Sequence, residues 1–246
     1  MVEGVHFLRD QDPADVAWKL VSVNLSDLAA KGAHPLGVLL GYALGSHDTR
    51  FVEGLRETLA HYDAPLLGGE TVAGEGTRTL GLTAIGRASH LPVPSRTGAR
   101  VGDILYVTGS VGGAMMGLER LRAGHGDSVA YRRPVALLTE GRALAPHVTA
   151  MMDVSDGLLL DAARMAKASG VSIEITSLAV PINAPEARRG DALRWGDDYQ
   201  LLLTAPVDVT LPIQVTAIGN VVSSTGAPIV LDGEPLQDMA DLGYQH

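Results

Sequence analysis

The chain of 246 residues contains no cysteine, and aromatic residues make up only 4% of it. The absence of cysteine excludes disulfides, thiolate metal sites and cysteine nucleophiles, and it fits a reducing cytoplasm. The scarcity of aromatic rings means that the cores are built from Ala, Val, Leu and Ile. Lysine is also rare, and none of Lys19, Lys31 and Lys167 stands between a glycine and a serine or threonine. A Walker-type phosphate loop is therefore excluded.

The chain also lacks the features of membrane and nucleic-acid binding proteins. No apolar run approaches the roughly 20 residues of a membrane helix, and no signal-peptide pattern opens the sequence. The 19 basic residues are outnumbered by 28 acidic ones, which gives a net charge of −9. Binding to duplex nucleic acid depends on a basic face. We therefore expect a cytoplasmic protein with no nucleic-acid or membrane partner.

In the first third of the chain, the spacing of apolar residues predicts two helices and three strands. One helix follows Asp12, which can cap it and precedes a proline at the first helical position. The apolar run 35–44 predicts a buried strand, and 48–62 has the pattern of an amphipathic helix. Two further strands, 65–67 and 79–85, are expected around a glycine-rich turn.

The proline cluster 91–95 is the best candidate for a linker, since prolines interrupt both helices and strand ladders. Strand and helix patterns begin again after it, so the sequence predicts two α/β domains, 1–91 and 92–246. In the second domain we expect helices at 111–123, 135–144 and 157–169, and strands at 104–108, 149–152, 171–176, 199–204, 213–218 and 229–231.

Polar residues on the first predicted helix form one candidate site. Asn24, Asp27 and Lys31 project from one side of that helix, whose other side is apolar. A solvated helix face explains them. A metal-binding carboxylate also explains them, because Asn and Asp are poor helix-interior residues. The sequence leaves both interpretations open.

Two further groups contain residues suited to phosphate or metal. Gly68 and Gly69 precede Glu70 at the end of an apolar stretch, where glycine could let the backbone approach a phosphate or could simply form a turn. A second group, 153–156, contains Asp153, Ser155 and Asp156 at a predicted helix N-terminus. A helix cap needs only one such residue, and this group has three. A simple cap and a magnesium–phosphate site therefore both remain possible.

A pair of adjacent aspartates and two single positions complete the candidates. Asp197 and Asp198 are neighbours at a predicted strand entrance, so we expect one to line a site and the other to cap a helix or face water. Arg96 could pair with a phosphate through two nitrogens, although a lone loop arginine is usually solvated. His6 lies near an apolar strand, where a histidine is more often structural than functional.

Taken in order and spacing, these segments resemble the thiamine-monophosphate kinases, a family of the aminoimidazole ribonucleotide synthetase-like superfamily. The resemblance extends over essentially the whole chain, and its Glu-Gly-Val-His-Phe and Asn-Leu-Ser-Asp blocks are specific to this kinase. The matching blocks are 2–7, 24–30 with 32, 33 and 35, 68–71, 96–99 with 102 and 103, 153–158, 196–201 and 243–246.

The resemblance implies a two-domain α/β (α+β) architecture, with an N-terminal mixed-sheet domain that forms a homodimer and a C-terminal α/β domain. It implies transfer of the γ-phosphoryl group of ATP to thiamine monophosphate, without a phospho-enzyme and with several Mg²⁺ ions. Such chemistry depends on positioning and charge neutralisation. By resemblance, the substrate contacts are His6 and Asp197, the nucleotide contacts are Gly69, Glu70, Arg96 and Ser155, and the magnesium ligands are Asp27, Glu70, Asp153 and Asp156.

The chain also departs from the family pattern. The family has an N-terminal Gly-Asp-Asp metal motif and a further metal-binding aspartate ahead of the first matching block, and we expect this chain to lack both. Glu70 stands where Asp is common, and Asp197 and Gln200 replace two glutamates. The alternatives are another ATP-using enzyme of the superfamily, such as a ribonucleotide synthetase, and a truncated nucleotide-binding dimer without catalysis.

Overall fold

The computed structural model describes residues 1–74 and 76–244, and these residues form two β-sheets with helices packed on them. Gln245 and His246, at the end of the last matching block, lie outside the described residues. No helix in the described part of the chain is long and apolar enough to cross a membrane.

The first sheet has three strands in the order β2-β1-β3, with β1 parallel to β2 and antiparallel to β3. The mixed sheet expected for the first domain is therefore present. Both predicted helices are present as well, and the side chain of Asp12 caps the first by accepting the amide of Ala14 at 2.9 Å. The elements are α1 (Pro13–Ala29), β1 (Ala33–Ala43), α2 (Asp48–His61), β2 (Leu66–Val72) and β3 (Leu80–Ala88).

Two predictions in this region are wrong. Strand β1 was expected to be buried, but only one of its faces is: Val38 and Tyr42 pack in a core with α1, whereas Leu39 is 40% exposed on the opposite face. The expected turn at Gly68 and Gly69 is also wrong, because β2 continues through both glycines to Val72.

The second sheet has seven strands in the order β10-β9-β6-β8-β4-β7-β5. Helices α4 and α7 and strand β10 were not predicted, the helix expected from residue 135 begins at Leu138, and the strand expected from residue 213 begins at Thr216. The elements are β4 (Ile104–Val107), α3 (Gly113–Ala123), α4 (Val129–Arg132), α5 (Leu138–Leu144), β5 (Ala150–Asp153), α6 (Leu158–Ser169), β6 (Ser172–Ile175), α7 (Arg189–Arg194), β7 (Leu201–Ala205), β8 (Thr216–Val222), β9 (Ile229–Leu231) and β10 (Glu234–Leu236).

Helix α1 joins the two sheets. Its apolar side chains share one core with Met151 of β5 and Leu203 of β7. It also carries a stripe of buried polar residues, spaced so that they fall on one helix face. Three of them bond to the second half of the chain: Asp15 to Arg132 and Arg133, Lys19 to Asp197, and Ser26 to Asp153.

Candidate functional site

A cavity of about 420 Å³ lies where the start of the chain meets two loops of the second half, 153–157 and 195–199. It brings together four residues singled out in the sequence: His6, Ser155, Asp156 and Asp197. Its lining also includes aromatic and basic side chains that were not candidate site residues, namely Tyr131, Trp195, Tyr199, Tyr244, Arg122 and Arg194.

The loop 195–199 is not the strand entrance that the sequence predicts. Asp197 and Tyr199 have left-handed backbone conformations, with φ of 66° and 51°. The amides of the same two residues donate to the carbonyls of Ser155 and Val154, both at 2.8 Å. Strand β7 therefore begins only at Leu201, and the loop lies against the 153–157 loop.

The two adjacent aspartates nevertheless have separate roles, as predicted. Asp197 lines the cavity, whereas Asp198 accepts the amides of Gly112 and Ala114 at the N-terminus of α3, at 2.7 and 3.2 Å. Burial raises the pKa of Asp198 to about 7, against the lowering effect of those amides. Asp198 is thus a helix cap whose charge carries a desolvation cost.

The 153–157 loop is held by Asp161, a fully buried residue in the first turn of α6. Its Oδ2 accepts the amides of Ser155 and Asp156, both at 3.0 Å, and burial raises its pKa to about 6. Arg164 contacts both Asp156 and Asp161. Asp156, expected to bind magnesium, therefore has an arginine partner in this structure. The sequence analysis did not identify Asp161, and its only sequence signal is that it falls in the first turn of a predicted helix.

A second cluster lies at the other end of the same loop. Asp153 is 8% exposed and accepts a hydrogen bond from the hydroxyl of Ser26 at 2.7 Å. Burial raises the pKa of Asp153 to about 6, and the nearby charge of Asp27 also raises it. Desolvation raises the pKa of Asp27, while Lys31 and Arg96 lower it. The fold thus collects two carboxylates and two cations from separate segments.

The chemistry of this second cluster fits a magnesium ion shared with phosphates. Its donors are carboxylate oxygens, and a cation would stabilise the charged form that burial disfavours in Asp153. Within the described residues there is no group of three or more His, Cys, Asp or Glu side chains that could enclose a metal ion. Magnesium is usually held by one or two carboxylates together with water and substrate phosphates, so Asp27 and Asp153 suffice for such a site.

Gly69 and Glu70 are not among the residues that line the cavity. Glu70 pairs with Gly41 on β1, on the face of the sheet that also carries Leu39 and is turned away from α1. We call this the outer face; it carries Leu39, Glu70, Thr83 and Ile85. Gly69 has a structural reason to be glycine, since a Cβ there would lie 2.0 Å from the carbonyl oxygen of Leu40.

A larger cleft does not coincide with these residues. It has a volume of about 960 Å³, is lined by segments such as 7–13 and 43–47, and includes none of the predicted site residues. Some of its polar groups pair with one another, as Arg9 does with Glu3 and Arg50 with Asp12. The smaller cavity is therefore the candidate site, because the functional groups converge there.

The chain matches two family models that follow one another along its length. Residues 1–88 match the AIR synthase related protein, N-terminal domain, and residues 100–209 match the AIR synthase related protein, C-terminal domain. Both models agree with the predicted two-domain α/β fold class.

Comparison with individual proteins is more specific. The thiamine-monophosphate kinase of Escherichia coli K12 is 35% identical over 279 residues, covering 100% of this chain and 84% of the relative. The crystal structure of thiamine monophosphate kinase from Aquifex aeolicus superposes with a TM-score of 0.86 at 31% identity, covering 97% of this chain and 87% of that one. A structure described as "AaThiL complexed with AMPPCP and TMP" also has a TM-score of 0.86 at 31% identity, covering 97% and 83%.

Proposed function

The chain belongs to the thiamine-monophosphate kinase family, and from this membership we propose which of its residues carry out the reaction. The reaction is transfer of the γ-phosphoryl group of ATP to the phosphate of thiamine monophosphate. The proposal rests on one observation, the continuity of the 153–157 loop from the 420 Å³ cavity to the cluster around Asp153. Donor and acceptor phosphates must meet in line, and a single loop serving both sides would provide that alignment.

In this proposal the cavity binds the thiamine moiety. Its aromatic walls, Tyr131 and Trp195, suit flat heterocyclic rings, and Asp197 and His6 supply polar contacts. Nδ1 of His6 accepts the amide of Val2 at 3.0 Å, so the neutral ring carries its proton on Nε2. The carboxylate of Asp197 suits the cationic thiazolium ring of the substrate.

The phosphates would occupy the cluster at the other end of the loop. Asp27 and Asp153 would hold Mg²⁺ there, and the ion would neutralise charge on the phosphates of ATP. The charge of Arg96 lowers the pKa of both Asp27 and Lys31, so Arg96 lies near this cluster. It would pair with a nucleotide phosphate. Ser155, with its amide fixed by Asp161, would contact the nucleotide from the loop.

Asp156, Gly69 and Glu70 complete the proposed site. Asp156 would bind magnesium by exchanging its contact with Arg164 for the metal. Gly69 and Glu70 would contact the nucleotide, and Glu70 a metal, from the outer face. The outer face is apolar at Leu39 and Ile85, which are 40% and 39% exposed.

Apolar area of this kind supports the proposal that the protein is a homodimer in which a second copy covers the outer face. Such a dimer would place Glu70 inside an assembly rather than in solvent. We also propose that the domains divide between residues 91 and 92, in the irregular segment between the sheets, and that the enzyme works in the cytoplasm, where ATP is available.

The test is incubation of the purified chain with ATP, Mg²⁺ and thiamine monophosphate, with thiamine diphosphate measured as its fluorescent oxidation product. We expect product that requires all three components and that disappears when EDTA removes the metal. Absence of product at every Mg²⁺ concentration, together with calorimetric binding of an ATP analogue, would instead favour a nucleotide-binding dimer without catalysis. Product from a ribonucleotide substrate alone would favour another enzyme of the superfamily.

A further inference from the structure

Lys19 is a buried lysine that no sequence pattern singled out as a site residue. It lies on α1 with 1% of its surface exposed, and its ammonium is 2.7 Å from Oδ2 of Asp197 and 3.8 Å from the centre of the Tyr131 ring. Burial lowers the pKa of Lys19, and the charge and hydrogen bond of Asp197 oppose that lowering. A buried ammonium is costly unless it is paired, so the fold retains this one for a specific partner.

The partner of Lys19 is Asp197, which lines the cavity and accepts a hydrogen bond on each of its two carboxylate oxygens. Oδ2 of Asp197 accepts from Lys19, and Oδ1 accepts from the hydroxyl of Tyr199 at 2.9 Å. The backbone amide of Asp197 is fixed to the carbonyl of Ser155 at 2.8 Å. The carboxylate therefore has one orientation at the cavity wall, while 27% of its side chain remains exposed.

We propose that Lys19 is a positioning residue for substrate binding, which holds Asp197 as an oriented anion beneath the cationic heterocycle of the substrate. This inference rests on the proposed function, in which Asp197 contacts the thiamine moiety. Lys19 does not line the cavity, so it acts through Asp197 and not by touching the substrate. Its place on α1 also means that the first half of the chain sets the shape of a substrate site built by loops of the second half.

The neighbouring contacts of α1 make Lys19 testable without unfolding the protein. Asp15 bonds to Arg132 and Arg133, and Ser26 bonds to Asp153, so α1 remains attached to the second half when Lys19 is changed. A methionine is unbranched and apolar, and its thioether can lie against the Tyr131 ring in place of the lysine ammonium. Asp197 can then take water at its exposed side.

The experiment compares Lys19→Met with Lys167→Met, a control at an exposed lysine on α6. KM is measured separately for thiamine monophosphate and for ATP, and binding of thiamine monophosphate alone is measured by calorimetry. For Lys19→Met we expect KM and Kd for thiamine monophosphate to rise about tenfold, with KM for ATP within twofold of wild type. The control should change neither.

A double-mutant cycle separates positioning from a purely structural role. In the Asp197→Asn background, Lys19→Met should change KM for thiamine monophosphate by less than twofold. Equal losses in both backgrounds, or an unchanged KM in the single variant, would overturn the inference.

If Lys19→Met fails to fold, Tyr199→Phe replaces it, because this change removes the donor to the other oxygen of Asp197. KM for thiamine monophosphate should then rise at least threefold, and an unchanged value would overturn the inference. A wild-type protein without kinase activity would contradict the proposed function itself. An active wild type, together with variants whose KM for thiamine monophosphate is unchanged, would contradict only the role of Lys19.

Discussion

The hydroxyl of Ser26 donates a hydrogen bond of 2.7 Å to Oδ2 of Asp153, a residue 127 positions further along the chain. Both side chains are buried, so this bond forms in a setting where an unsatisfied carboxylate would be costly. It places the end of β5 directly beside Asp27, the residue after Ser26 on α1. Two carboxylates that are distant in sequence thereby become neighbours, and their mutual repulsion favours a cation between them.

Asp27→Asn should reduce turnover about 100-fold or more while leaving Tm unchanged or slightly higher. The reason is that desolvation raises the pKa of Asp27, against the lowering effect of Lys31 and Arg96, and that the charge of Asp27 raises the pKa of Asp153, so removing this charge relieves repulsion when no metal is bound. The measurements are kcat for thiamine diphosphate formation and Tm by calorimetry without metal. Asp208→Asn, at an exposed loop position, is the control. A large fall in Tm with a modest fall in kcat would show that Asp27 is structural.

Asp198→Asn should make the stability of the protein less dependent on pH. Burial raises the pKa of Asp198 to about 7 in the folded protein, above its value of about 3.8 in the unfolded chain, so the folded state binds the proton more tightly. Stability from this group is therefore present at low pH and is lost as pH rises towards about 7. We expect Tm of the wild type to fall by several degrees between pH 5.5 and 8, and by less in the variant.

A second variant, Asp198→Ala, separates the capping role of Asp198 from its titration. Asp198 accepts the amides of Gly112 and Ala114 with separate oxygens, so Asn keeps an acceptor for only one of them, whereas Asp198→Ala removes both acceptors and should cost about 1–2 kcal/mol at any pH. Thermal unfolding of both variants at pH 5.5 and 8 measures the difference. Identical pH profiles for Asp198→Asn and wild type would mean that Asp198 is not the titrating group.

Local sequence signals were sufficient for much of the fold. The Asp12 cap and the proline after it gave the start of α1 correctly, and apolar spacing gave α2 and most strands of the second sheet. The errors at β1 and at Gly69 share a cause, because both depend on how distant segments pack. The run 35–44 reads as buried, yet no described element covers the face that carries Leu39.

The site shows the same division. Motifs identified His6, Ser155, Asp156 and Asp197, and the structure places all four in one cavity. Lys19 was overlooked because a lysine in an apolar helix pattern gives no sign of its partner, which lies 178 residues away in sequence. A strand role for Gly69 was not among the alternatives considered, a turn or a phosphate contact, because the sequence does not show how closely the Leu40 backbone approaches it.

Gly69→Ala should destabilise the protein by about 1–3 kcal/mol, because the new Cβ would lie 2.0 Å from the carbonyl oxygen of Leu40 and force the strands apart. Gly81→Ala is the matched control, since it lies in the same sheet and a Cβ there meets nothing within 4 Å. Urea unfolding measures both. If Gly69→Ala instead keeps full stability and only weakens ATP binding, the glycine serves the nucleotide and not the sheet.

Leu39→Asp should convert the proposed dimer into a monomer. Leu39 is central to the outer face, paired with Thr83 on β3 and Gly68 on β2, and a charge there would have to be buried against a second copy. Leu178→Asp introduces the same charge at a leucine that is 75% exposed outside the sheet, and it should leave the mass unchanged. Light scattering after size exclusion measures the mass of each. A dimeric Leu39→Asp variant would require another interface, and a monomeric wild type would contradict the dimer and leave Glu70 exposed to solvent.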